Sequence, residues 1–176
     1  MKYTLLILTF SLFAFTADKG RYYSINQKKV DKSFSKIWEV ESPTLTHITF
    51  TIAELEKAEV KNIELYNLTS STNKDLGYVY FKESPSKMLS FIYMIAFDKD
   101  LKIYHTEVLR YPENYGAEIC SKRFLKQFIG KKNGENIEFE KDIDGISGAT
   151  ISAKSITRGV KIASKNIVKL KENNLI

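Results

Sequence analysis

The residues of this chain best equipped for chemistry stand together late in the sequence: Asp144-Gly145-Ile146-Ser147-Gly148-Ala149-Thr150, with Ser152 just beyond. Gly145 and Gly148 allow a tight turn and close approach of the backbone to a ligand. The residues that follow have helical periodicity, so the segment ends at a helix start with free N–H groups and the positive end of a dipole. Such an end attracts anions. A phosphate at Thr150 would lie against the unpaired amides of the first turn, with Ser147 and Ser152 able to donate further hydrogen bonds. A threonine hydroxyl is also the group from which a phosphoester forms. The same residue types cap helices, and on their chemistry alone capping is the simpler reading.

Other reactive residues are sparse. Cys120 is the only cysteine, so it has neither an internal disulfide partner nor a cluster for metal ligation, and it reads as a half-buried helix residue. His47 and His105 have no metal-ligand spacing between them and read as ordinary strand residues. The net charge of +6 comes from 27 basic and 21 acidic residues spread along the chain, without zinc spacing, an arginine-rich tract or an RNA-binding aromatic signature. Nucleic acid is therefore not the expected partner.

The elements that must hold the glycine-rich segment follow from patterning. Val30, Phe34, Ile37 and Trp38 share one helical face, which Glu41-Ser42-Pro43 ends. Strands are expected over 45–52, 63–68, 77–82, 89–97 and 101–109, the last two forming a hairpin around Asp98-Lys99-Asp100. The nearly continuous apolar run of 89–97 marks a strand inside the sheet. A second helix uses Ile119, Phe124, Leu125, Phe128 and Ile129 as its apolar face, closed by Gly130. The chain ends in a long helix, where Ala149, Ala153, Ile156, Val160, Ala163, Ile167 and Leu170 recur at spacings of four and three. Lys154, Arg158, Lys161, Lys165 and Lys169 lie opposite, on a sector that reads first as a solvated face and second as a docking surface. With 43% hydrophobic residues, no repeats and no long linkers, residues 18–176 read as one α+β domain, an antiparallel sheet covered by helices.

At the other end, Lys2 precedes a 13-residue apolar and hydroxyl stretch from Tyr3 to Phe15, and Asp18, Lys19 and Arg21 then restore charge. This is the layout of an export signal. The stretch falls short of the roughly 20 residues that span a bilayer as a helix, so residues 1–17 read as a cleaved signal in preference to a short membrane anchor. The expected location is outside the cytoplasm, in a periplasm or at the outer face of the cytoplasmic membrane.

The pattern Asp-x-x-Ser-Gly-Ala-Thr at 144–150 resembles the flavinylation motif of the FMN-binding domain family, which includes the C subunit of the sodium-translocating NADH:quinone reductase and the G subunit of the Rnf complex. The similarity runs from residue 77 to 165, through Gly77-Tyr78, the strands at 91–98 and 101–110, Glu113-x-x-Gly116-x-Glu118-Ile119 and Phe124-x-x-Gln127-Phe128-x-Gly130-Lys131. The resemblance implies a flavin mononucleotide joined by its phosphate to Thr150, set there by a flavin transferase with FAD as donor. It makes Asp144, Ser147, Gly148, Ala149 and Ser152 the neighbours of that bond. It also brings the segment around Glu113 near the flavin ring, with Tyr115 as stacking partner and Gly116 as a point of close approach. Two departures stand out: Ile151-Ser152-Ala153 keeps only one of two hydroxyls common after the motif, and Tyr111-Pro112-Glu113-Asn114-Tyr115-Gly116 replaces a Glu-Thr-Pro-Gly-x-Gly segment.

The implied role is an exported electron carrier exchanging electrons with redox proteins or membrane carriers. A covalent bond keeps the cofactor where it is not resupplied, and no nucleophile–base pair suggests a complete enzyme. Two alternatives remain in view: a small extracytoplasmic flavin-dependent reductase, and a non-redox binding module that keeps the fold.

Overall fold

Alternation in the middle of the chain builds a five-stranded antiparallel meander. In the computed structural model, which describes residues 20–37, 43–61 and 63–176, the strands are β1 (Thr44–Ile48), β2 (Glu64–Thr69), β3 (Asp75–Pro85), β4 (Ser90–Phe97) and β5 (Ile103–Arg110). They pair in chain order, each antiparallel to the next. The export segment, Trp38 and the Glu41-Ser42 break lie outside the described residues.

The sheet is buried on both faces because its side chains alternate between two apolar sets. Tyr66, Leu68, Val79, Phe81, Met94 and Ala96 meet helix α1 (Arg21–Ile37) through Tyr23, Val30 and Phe34. Leu65, Tyr80, Tyr93, Ile95 and Phe97 face the C-terminal helix, Thr150–Glu172. All seven residues of its expected apolar stripe are buried. On β4 every residue from Phe91 to Phe97 is buried and the strand is paired on both sides, as its unbroken apolar run requires.

Two buried polar devices fix the helices on this sheet. Glu64, 8% exposed, accepts from the backbone N–H groups of Tyr22 and Tyr23, each at 2.9 Å, and so holds a carboxylate at the start of α1. On the opposite face, Gly159 lets the last helix approach the sheet so closely that an added Cβ would lie 1.9 Å from the Tyr93 hydroxyl.

Three expectations need correction. The first strand ends at Ile48, because Thr51 caps a short helix α2 (Ile52–Lys57) and Glu54 reaches back to the Thr51 N–H in a reciprocal capping box. The apolar face of 119–129 is not one helix: a 3₁₀ turn at Ala117–Cys120, helix α3 (Lys122–Leu125) and a second 3₁₀ turn at Lys126–Phe128 replace it. Ser121 causes the break, since its backbone is extended and its hydroxyl accepts from the Phe124 N–H. Ile129 consequently leaves the core and is 51% exposed, and Cys120 is exposed as well. Beyond it the Gly130 N–H donates to Ile103 and the Ile103 N–H to Lys131, so the chain leaves along the start of β5.

The final helix, α4, is the fourth α-helix among the described residues. His47 lies on β1 and His105 on β5, as read from the sequence. The hairpin around Asp98-Lys99-Asp100 is closed by mutual hydrogen bonds of Asp98 and Lys102. On the basic sector of α4, Lys161 pairs with Glu138 and Lys169 with Glu59, while Lys154, Arg158 and Lys165 are exposed. The architecture is α+β, with an antiparallel sheet between helical layers.

Candidate functional site at the start of the last helix

The residues before α4 turn sharply because one of them must. Ile146 to Ala149 form a turn closed by a 3.2 Å hydrogen bond from the Ala149 N–H to the Ile146 carbonyl, and Gly148 occupies φ +82° within it. A side chain there would be strained by that φ and would crowd the Glu118 carboxylate at 3.2 Å. Gly145 is under no such demand. Its φ is not positive, and an added Cβ would make an ordinary 3.4 Å contact with Phe139. The beginning of the segment is instead fixed by Gln127, whose side-chain carbonyl accepts from the Asp144 N–H at 2.8 Å.

Capping, the simpler reading of these residue types, is not what they do. Ala149 occupies the cap position of α4, and no side chain accepts a hydrogen bond from the first turn. A 23-residue helix thus begins with its N–H groups free, which is the arrangement an anion completes. Thr150 is its first residue and is exposed, and its hydroxyl has no hydrogen-bond partner among the described residues. Asp144 and Ser147, earlier in the same segment, are exposed too, and among the described residues their side chains have no hydrogen-bond partner.

Ser152 and the segment 111–116 meet. The Tyr111 hydroxyl donates to the Tyr115 carbonyl at 2.9 Å and lies 2.9 Å from the Ser152 hydroxyl, which must be the donor of that pair because the phenol has one proton. Ser152 is 3% exposed and committed to this bond. It positions the loop on α4 and does not offer a free donor. Gly116, at φ +82°, leaves room for the Tyr111 hydroxyl, which would be 2.4 Å from an added Cβ. Close approach at Gly116 is thus made by Tyr111.

Glu113 is used differently from the ring contact implied for it. Its carboxylate accepts from the Met88 and Leu89 N–H groups, each at 2.8 Å, and from the Ser86 hydroxyl, tying the 111–116 loop to the turn between β3 and β4. Those bonds, the Ser86 hydroxyl first, hold its carboxyl below the usual carboxylate range. A depressed pKa stabilises the fold above the unfolded value near 4.3 and loses that contribution as pH falls through the folded value. The protection factors of the Met88 and Leu89 amides, exchange rates corrected for intrinsic pH dependence, are therefore expected to fall as acidification protonates Glu113. In Glu113→Gln they should be low already at neutral pH, with little further change on acidification. Equal protection in both proteins across that range would refute the tie.

Tyr115 presents a ring 58% exposed, with the Lys87 ammonium 5.8 Å from its centroid. Three segments therefore converge through hydrogen bonds and this contact: the β3–β4 turn, the 111–116 loop and the start of α4. Sequence reasoning missed Tyr111 and Gln127 as the residues that hold the arrangement. Both stand inside the quoted stretches, but neither has a periodicity or spacing that marks a cross-chain hydrogen bond.

Residues 91–165 match the family model of the FMN-binding domain. The match runs from β4 through most of α4 and includes both the 111–116 loop and the 144–152 segment. Residues 91–165 are thus assigned to an FMN-binding domain, and the assignment supports FMN binding by this chain. No curated protein matches the chain.

Proposed function

We propose that the protein holds FMN covalently, through a phosphoester to Thr150, and works outside the cytoplasm as an electron carrier. The observation that carries the reading is the uncapped first turn of α4, with the unpartnered Thr150 hydroxyl as its first residue, inside a domain that binds FMN. Residues and cofactor fit each other: a phosphate on Thr150 would neutralise the free N–H groups that no side chain caps. Glu118 borders Gly148 with a carboxylate, so the electrostatics for a free phosphate are mixed, and a covalent bond removes the need for affinity there.

In the attachment reaction the Thr150 oxygen bonds to the FMN phosphorus of FAD as the pyrophosphate bond breaks. AMP leaves and the hydroxyl proton passes to solvent or to the transferase. Asp144 and Ser147, exposed in the segment that leads to Thr150, are side chains free to meet the transferase or the phosphate. Once bound, FMN supplies one- and two-electron redox chemistry, while the protein supplies orientation, charge and exclusion of solvent. Tyr115 offers an exposed aromatic face for the ring, anchored by its own carbonyl to Tyr111. Redox proteins or membrane electron carriers are the proposed partners, with residues 1–17 directing export or holding the chain at the membrane.

Coexpression with a flavin transferase, followed by intact-mass spectrometry, tests the covalent bond and N-terminal processing together. One FMN-phosphoryl adduct per chain is the expected result; a chain that stays unmodified despite an active transferase would leave only noncovalent binding. Stopped-flow reduction then separates the roles. A carrier exchanges electrons with a protein or quinone partner without turning over a small substrate, whereas sustained small-molecule turnover would make it a reductase.

A further inference from the structure

A second site lies away from the flavin segment. A cavity of about 870 Å³ opens between α1, the outer edge of β5 and the 120–129 stretch, and none of residues 111–116 or 144–152 lines it. Lys32 and Lys36 reach it from α1, and Lys122, Arg123 and Lys126 from the opposite wall. Among the described residues none of these five cations has an ion-pair partner. A sixth, Lys29, is committed to the Val108 and Leu109 carbonyls. The acid on the wall, Glu107, is engaged by the Ser33 hydroxyl and lies 3.6 Å from His105 Nε2.

Five unpaired cations around one concavity repel one another and raise the local potential, which an anionic occupant would relieve. The acid on the wall does not offset them, because Glu107 faces His105 and the Ser33 hydroxyl.

Size and lining narrow the chemistry. The volume falls in the range of small-molecule sites and far exceeds an inorganic phosphate. Ile37, Leu125 and Ile129 add apolar surface for a flat or aliphatic body, and the Arg123 guanidinium can grip a phosphate with two donors. We propose that this cavity binds a nucleotide-sized organic polyphosphate, its phosphates held by Lys32, Lys36, Lys122, Arg123 and Lys126. The site is independent of the proposed Thr150 bond.

Calorimetric titration of the full chain with ADP, pyrophosphate and adenosine tests it. ADP is expected to bind, pyrophosphate more weakly for want of the apolar contacts, and adenosine not at all. Maleimide labelling of Cys120, an exposed residue on the cavity wall, should slow when ADP is present. Replacing Lys122, Arg123 and Lys126 together by Ala should weaken ADP about tenfold or more, while Lys154→Ala/Arg158→Ala on α4 should not. No ADP binding at concentrations on the order of 1 mM overturns the proposal. So does ADP binding indifferent to these variants, or charge-dependent binding of phosphatidylglycerol vesicles by a chain that ignores ADP.

Discussion

Thr150→Ala is expected to abolish covalent flavin completely while leaving the fold as stable as before. The loss should be total because the ester needs an oxygen at that position, and the neighbouring hydroxyls are poor substitutes. Ser152 is buried and bonded to Tyr111, and Ser147 lies within the 146–149 turn, outside the helix. Stability should move by less than about 0.5 kcal/mol: Thr150 is exposed, caps nothing and is replaced by a better helix former. Intact mass after coexpression with a flavin transferase reads the first effect, and chemical denaturation of unmodified proteins reads the second. Thr150→Ser restores the oxygen and should restore an adduct. An ester surviving in Thr150→Ala, mapped to Ser147 or Ser152, would move the attachment point and overturn the assignment.

That test also separates what the sequence could say about the site from what only packing could. The type of residue at 148 and 150 was legible: Gly148 is forced by a positive φ, and Thr150 has the one hydroxyl at the helix start that nothing else uses. The roles of Ser152 and Glu113 were not. Each looks like a ligand in one dimension and serves as a brace in three, because its partner lies 41 or at least 24 residues away. Long-range hydrogen bonds leave no period in a sequence. The fold shows the same division. The stripe of α4 and the apolar run of β4 repeat a local geometry, so burial follows directly from spacing. The segment 119–129 also has apolar spacing, yet one extended residue, Ser121, divides it and sends Ile129 into solvent. Its apolar residues pack from three short turns as well as from one helix, and periodicity does not distinguish the two.

Gly159→Ala is expected to be strongly destabilising, although it adds one methyl group and favours the helix. The new Cβ would lie 1.9 Å from the Tyr93 hydroxyl and 2.9 Å from Ser84 Oγ, which themselves form a 3.0 Å hydrogen bond. Tyr93 is fully buried and cannot swing aside, so α4 must lift from the sheet. Overpacking of this kind costs about 3 kcal/mol, set against a gain of under about 1 kcal/mol from replacing glycine within a helix. A Tm lower by roughly 4–12 °C is the expected outcome for a domain of this size. Because Thr150 and Ser152 begin the same helix, its displacement should also strain the Tyr111–Ser152 bond and reduce flavin loading in proportion to stability. Tyr93→Phe supplies the internal control. Alone it should destabilise by about 1 kcal/mol, since Ser84 loses its partner. Combined with Gly159→Ala it should stabilise relative to the single glycine variant, since the atom in the closest clash has gone. The same substitution thus changes sign with its background, a result that loss of glycine flexibility or altered helix propensity cannot produce. If the two effects simply add, the close approach of α4 to Tyr93 does not set the cost at Gly159.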